Sequence, residues 1–232
     1  MNFINHFILI LLFVIFASCS KEKLRESVIK EKSLDGQVLE AYTEGLDSLR
    51  GGDVLFAAKK FNEAEMLFPQ SDWAPKSALM AAYSYYSQDY LDDAIAELER
   101  FLKVYPLSKN TDYALYLLAT SHYEKIVDEK KDLQSILLAK KNFNKIIKNF
   151  PNTEYALDSE FKIDLINDIL ASKEIYIGRY YFDRKKWVPA IKRFRTIVDE
   201  YDTTIYVQEA LHRLVEVHYI IGLNKDGKNI TL

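Results

Sequence analysis

The chain has 232 residues, with 31 Lys and Arg against 34 Asp and Glu and a formal net charge of −3. A balance this even supplies no basic stripe for a phosphate backbone, so no nucleic-acid partner is expected. A single cysteine excludes an internal disulfide, and 16 Tyr and 13 Phe beside only 7 Gly and 5 Pro favour long helices with aromatic interiors over a turn-rich β protein.

Residues 1–18 contain no Lys, Arg, Asp or Glu. Their apolar run, Phe7–Phe16, is shorter than the ~20 residues that span a bilayer, and it meets the small pair Ala17-Ser18. This pattern predicts a signal peptide over 1–18 whose removal leaves Cys19 as the first residue. The stretch ending at Cys19 resembles the lipobox of bacterial lipoproteins, with Phe16 where Leu is usual and no Lys or Arg in Met1–His6. That resemblance implies a diacylglycerol on the Cys19 thiol and an acyl chain on its amine, with no other cofactor. An ordinary leader with a chance cysteine is the alternative. Residues 19–34 are polar and mostly charged, and they read as a lipidated N-terminus and tether. At ~3.3 Å per extended residue, fourteen such residues reach roughly 45 Å.

From residue 35 to 222 one pattern recurs. An alanine is followed four residues later by a large apolar residue and twelve later by a helix stop: Ala57, Phe61 and Pro69; Ala94, Leu98 and Pro106; Ala139, Phe143 and Pro151; Ala190, Phe194 and Asp202. Residues i and i+4 share a helix face, so the alanine admits a neighbouring helix and the bulky residue fills the gap. Proline stops the helix because it has no N–H to donate. A glycine twelve before the alanine (Gly45, Gly178) and a tyrosine nine before it (Tyr85, Tyr181) complete the marks of the tetratricopeptide unit. The expected fold is all-α: about five such hairpins stacked in a right-handed superhelix whose first helices line a concave wall. Helix pairs are predicted over 37–50 with 54–67, 74–88 with 91–104, 111–127 with 134–149, and 172–185 with 187–200. A helix from 154 precedes the last pair and could run on into it. A final helix over 204–221, capped by Asp202-Thr203-Thr204, leads to a polar tail at 223–232.

Catalytic chemistry finds no foothold. His212 and His218 stand about 240° apart on a helix and cannot share a metal unaided, and no phosphate loop or nucleophile-and-base spacing occurs. Neither an enzyme nor a metal site is expected. Acidic clusters such as Asp92-Asp93 alternate with basic residues as a solvated face does. The tyrosines carry more. Leu79, Tyr83, Tyr86 and Tyr90 follow one helical face, and Tyr113, Tyr116 and Tyr123 lie on the next first helix. Some of these rings could meet an extended peptide, with inter-helix packing the alternative for each.

The segments Leu79–Tyr86, Ala94–Phe101, Tyr105-Pro106 and Thr111–Tyr116 resemble the BamD family, outer-membrane lipoproteins of the β-barrel assembly machinery. A second match runs through Phe150–Tyr155 and Ile175–Val198. The resemblance implies a lipid-anchored protein on the periplasmic face of the outer membrane. It would dock on the POTRA domains of BamA, receive unfolded outer-membrane proteins, and meet other Bam lipoproteins. It also makes Tyr83, Tyr86 and Tyr116 candidates for the client groove, and Lys192 and Arg193 candidates for the BamA-facing side. Ser20, in place of the Asp that retains many lipoproteins in the inner membrane, agrees with outer-membrane sorting. A periplasmic adaptor of the Tol–Pal-associated type is the alternative, although that family usually has an N-terminal coiled coil and no lipobox. A peptidoglycan-acting enzyme on a repeat platform would need a further catalytic domain.

Overall fold

The computed structural model describes residues 32–126 and 133–225. The leader, Cys19 and nearly all of the 19–34 and 223–232 segments lie outside the described residues. Those described form nine helices and no strand: α1 Leu34–Arg50, α2 Val54–Leu67, α3 Trp73–Tyr86, α4 Leu91–Val104, α5 Thr111–Glu124, α6 Leu133–Asn149, α7 Glu154–Asp183, α8 Trp187–Glu200 and α9 Val207–Lys225. Each packs on the next in order. The first helices α1, α3, α5 and α7 also approach one another in succession, more closely along the backbone than the second helices do. Stacked α-hairpins that approach along their first helices are the all-α, tetratricopeptide-type fold expected from the repeat.

The alanine register sets the packing. Ala57, Ala94, Ala139 and Ala190 are wholly buried, as are Phe61, Leu98, Phe143 and Phe194 four residues on. A third position, seven after the alanine, is equally buried: Ala64, Phe101, Ile146 and Ile197. Each large side chain removed from water contributes ~1.5–3 kcal/mol, so this stripe holds every hairpin closed. The two pattern glycines sit where rings press closest. A Cβ on Gly45 would lie 2.9 Å from the Phe61 ring, and one on Gly178 would lie 2.4 Å from that of Phe194.

Three of the turns inside hairpins share one geometry. Gly52, Asp89 and Lys185, each five residues before the register alanine, have φ of +83°, +60° and +58°. The N–H of the following residue returns to a carbonyl five residues back: Asp53 to Ser48, Tyr90 to Tyr85, Lys186 to Tyr181, at 2.9–3.1 Å. These are Schellman closures of the first helices, in which a left-handed residue satisfies the orphan carbonyls. Asp89 and Lys185 hold this geometry without glycine's freedom, which costs each about 1 kcal/mol.

Turns between hairpins are held by a device that proline alone does not explain. Phe68, Tyr105 and Tyr201 all leave the helical region, with φ, ψ of −146°, 75°, −121°, 55° and −134°, 41°. Tyr201 does so before Asp202, not proline. Three residues beyond the aromatic stands a hydroxyl residue: Ser71, Ser108, Thr153 and Thr204. The N–H of each donates to the aromatic residue's carbonyl at 3.0–3.2 Å. The hydroxyls of Ser71, Thr153 and Thr204 donate to the same oxygen at 2.7–2.8 Å. Thr204 is thereby committed to the turn, so α9 starts at Val207 and not at the predicted 204.

α7 is one 30-residue helix. No Gly or Pro interrupts it before Gly178, and both halves have a core to join. Ala156, Ile166 and Leu170 pack with Phe143 and Ile146 of α6, while Ala171 and Ile175 pack with Ala190, Phe194 and Ile197 of α8. The predicted helix from 154 therefore runs without a break into the first helix of the last pair.

Candidate functional site

The first helices build a groove. Tyr42 comes from α1, Leu79, Met80 and Tyr83 from α3, Tyr113 from α5 and Tyr155 from α7, and Lys76, Lys109, Asn110 and Asp112 complete the lining. The space they enclose is about 530 Å³. Helical spacing places these residues. Leu79 and Tyr83 are one turn apart on α3, and Tyr113 and Tyr155 occupy the first turns of α5 and α7, just after the inter-hairpin turns.

Rings pack along this wall. Tyr42 lies 5.2 Å from Trp73 and 5.2 Å from Phe61 between centroids, Tyr113 5.6 Å from Tyr155, and Tyr116 5.1 Å from Tyr155. Burial pushes the Tyr113 phenol up to about 12, with Tyr83 and Tyr155 adding to it. Burial also raises Tyr42, and burial with charge from Glu154 and Asp112 raises Tyr155. These phenols stay protonated at neutral pH and can donate hydrogen bonds from the aromatic part of the lining.

The three sequence-predicted groove tyrosines divide. Tyr83 lines the cavity. Tyr86 donates its hydroxyl to Glu124 of α5 at 2.8 Å, and Tyr116 donates to Asp158 of α7 at 2.7 Å. Burial first and Asp158 second raise Tyr116 to about 12, and burial with the Glu124 bond raises Tyr86 as well. Tyr86 and Tyr116 thus tie consecutive first helices together. An ion pair between Arg179 of α7 and Glu209 of α9 continues the same series of ties. Tyr42, Met80, Tyr155, Lys76 and Lys109 were not singled out from sequence. Tyr42 and Tyr155 lie outside the single face traced through α3, and only the stacking of four helices brings them to one space.

At the other end, Lys192 of α8 is exposed, and Arg193 reaches back to Glu174 of α7 with Nη1–O distances of 3.0 and 3.2 Å. The Arg193 side chain remains 38% exposed, so one side of its guanidinium faces solvent. Between the second helices stands another charged knot. Arg100 of α4 grips Glu65 of α2 through two bonds of 2.7 and 2.8 Å, and the Tyr105 hydroxyl adds a third at 2.7 Å. Burial would raise the Glu65 carboxyl, but the Arg100 and Tyr105 bonds together with the Arg100 charge outweigh it and hold it below the ordinary range. Among the described residues no cluster of His, Cys, Asp and Glu could hold a metal ion, and no helix is long and apolar enough to cross a membrane.

A family model described as an outer membrane lipoprotein, YfiO, matches residues 34–231. Among curated proteins, the chain is 38% identical over 187 residues to the outer membrane protein assembly factor BamD of Caulobacter vibrioides, covering 81% of this chain and 61% of that protein. It is 34% identical over 223 residues to the protein of the same name from Rickettsia prowazekii, covering 96% and 86%. With that of Neisseria gonorrhoeae it shares 32% over 195 residues, covering 80% and 73%.

Proposed function

This chain belongs to the YfiO family of outer membrane lipoproteins, and from that membership we propose that it is a non-catalytic scaffold in the assembly of outer membrane proteins. In this reading it is held to the periplasmic face of the outer membrane by lipid on Cys19, receives unfolded clients in the first-helix groove, and docks on the POTRA domains of BamA through the side that carries Lys192 and Arg193. The groove is the observation that carries the reading. Its neutral phenols can donate to the free carbonyls of an unpaired strand, while Leu79, Met80 and the tyrosine faces receive its apolar side chains. The ties from Tyr86 and Tyr116 hold consecutive first helices together before a client arrives, which lowers the ordering cost of binding. Anchoring needs no further contact. Each buried CH₂ contributes ~0.8 kcal/mol, so two or three acyl chains give stable attachment where one gives only marginal, reversible binding.

The test is peptide binding. Fluorescent peptides copied from strands of an outer-membrane barrel are titrated against the full chain and against Met80→Glu, which puts a charged side chain of similar length at a half-buried groove position. A loss of about tenfold or more in affinity, with an unchanged helical circular-dichroism spectrum, is the expected result. Equal affinity removes the groove from client binding. Cys19→Ala is expected to leave the membrane fraction, and Lys192→Glu with Arg193→Glu to reduce recovery with a POTRA-containing partner. A membrane-bound Cys19→Ala protein or undiminished recovery contradicts those two parts separately.

A further inference from the structure

The aromatic groove does not end at its lysines. Lys76, Lys109 and Asn110 also border a second cavity, of about 540 Å³, whose other walls include Pro75, Val104, Pro106 and Leu107. Leu107 is 96% exposed, and Val104 beside it is exposed too. The turn that carries them is fixed from both sides. The Tyr105 N–H is bonded to the Phe101 carbonyl, Ser108 N–H to the Tyr105 carbonyl, and the Tyr105 hydroxyl to Glu65. The second cavity is therefore a standing apolar surface and not a passing shape of a loose loop.

The charges at the junction have no carboxylate of their own. None of the described ion pairs involves Lys76 or Lys109, and Lys76 stands 4.9 Å from the Trp73 ring. The two nearby aspartates lie one to each side. Asp112 belongs to the inner cavity and accepts the Tyr113 N–H at 2.8 Å, while Asp72 belongs to the outer one. The surface thus runs from aromatic groove, across two ammonium groups outside the described ion pairs, to an aliphatic cavity.

We propose that the groove's ligand runs through both cavities as an extended peptide segment whose Asp or Glu side chain is held by Lys76 and Lys109, with an aromatic residue two positions to one side and an aliphatic residue two positions to the other. This rests on the groove reading above and names the class of segment it selects. Extended chains place alternate side chains on one face, so an acidic residue at i puts i−2 and i+2 beside it toward the protein. Because cavity continues on both sides of the lysines, the carboxylate belongs to a side chain inside the segment and not to a chain terminus. Two ammonium groups on one carboxylate give charge-assisted hydrogen bonds whose strength falls with salt.

The experiment uses the full chain and three fluorescent peptides: Tyr, Asp and Leu at i−2, i and i+2; the same with Asn at i; and a version that stops at the Asp. Binding is read by anisotropy in wild type, in Lys76→Gln with Lys109→Gln, and in Leu107→Ser. All three substituted positions are exposed, so these variants are expected to fold. The Asp peptide should bind roughly three- to tenfold more tightly than the Asn peptide at low salt. That preference should vanish in the double lysine variant and at high salt, and Leu107→Ser should weaken the long peptide but not the short one. Equal binding of the Asp and Asn peptides to wild type overturns the carboxylate assignment and leaves the groove reading standing. A short peptide that binds as tightly as the long one overturns the continuation into the outer cavity. If none of the three binds, both this inference and the groove reading fall.

Discussion

Three helical glycines offer a test in which one substitution has opposite signs. Glycine to alanine in a helix interior is worth ~0.5–1 kcal/mol in favour of alanine, since the extra conformations glycine gains on unfolding are removed. At Gly178 the new methyl carbon would lie 2.4 Å from Cε1 and 2.8 Å from Cδ1 of Phe194, a ring that is fully buried. Such a ring cannot swing away without displacing Ala190 and Ile197, so overpacking of ~1–3 kcal/mol exceeds the helical gain. The expected net loss for Gly178→Ala is about 1–2 kcal/mol. Gly45→Ala meets Phe61 at 2.9 Å, a contact half an ångström looser, and should lose less. Gly222→Ala meets nothing within 4 Å and should be neutral or stabilising by up to ~0.5 kcal/mol near the end of α9. Thermal unfolding followed at 222 nm reads the series, with ~2–4 °C per kcal/mol for a protein of this size. A second variant, Phe194→Leu, should narrow the Gly178→Ala deficit by freeing the space. If Gly178→Ala melts at or above the wild-type temperature, the ring does not stand over the glycine and the hairpin packing described for α7 and α8 is wrong.

Arg100→Met should destabilise by about 2–4 kcal/mol, because Glu65 is only 8% exposed and would lose two of its three hydrogen bonds, although the half-open guanidinium tempers the loss. Pairing it with Glu65→Gln should recover most of that loss in a double-mutant cycle, and additive losses would show that the two groups act separately. His122 supplies a pH dependence. Burial first, and Lys125 next to it, push its imidazole below the ordinary 6.5 despite an opposing pull from Glu99. The unfolded chain therefore binds the proton first, so stability falls as pH drops through about 6.5 and no contribution from this group is lost above it. His122→Gln should flatten that part of the denaturation curve measured between pH 5 and 8, and an unchanged slope would assign it to other groups.

Legibility followed the range of the contacts. The hairpin register could be read directly, because Ala139 with Phe143, or Gly178 with Ala190, are placed by a period that the chain carries within a dozen residues. The +7 position and the hydroxyl three residues after each turn aromatic follow the same local rule and recur in all four copies of the repeat. Even the left-handed turn residue was fixed locally, although Asp89 and Lys185 hide it behind side chains that seldom adopt it.

What the amino-acid order determined alone is the α-hairpin, its aromatic interior and the residues that close it, since each depends on neighbours three to twelve positions away. Which partner each tyrosine meets was decided only by stacking. Tyr83 and Tyr86 sit one turn apart on the same helix, yet Tyr86 finds Glu124 thirty-eight residues on, while Tyr83 faces a space completed by Tyr42 and Tyr155. The junction of Lys76 with Lys109 has the same origin. A helix fixes the direction of a side chain, but the distance between two helices, and so what lies opposite that side chain, is set by the hairpin packed against it.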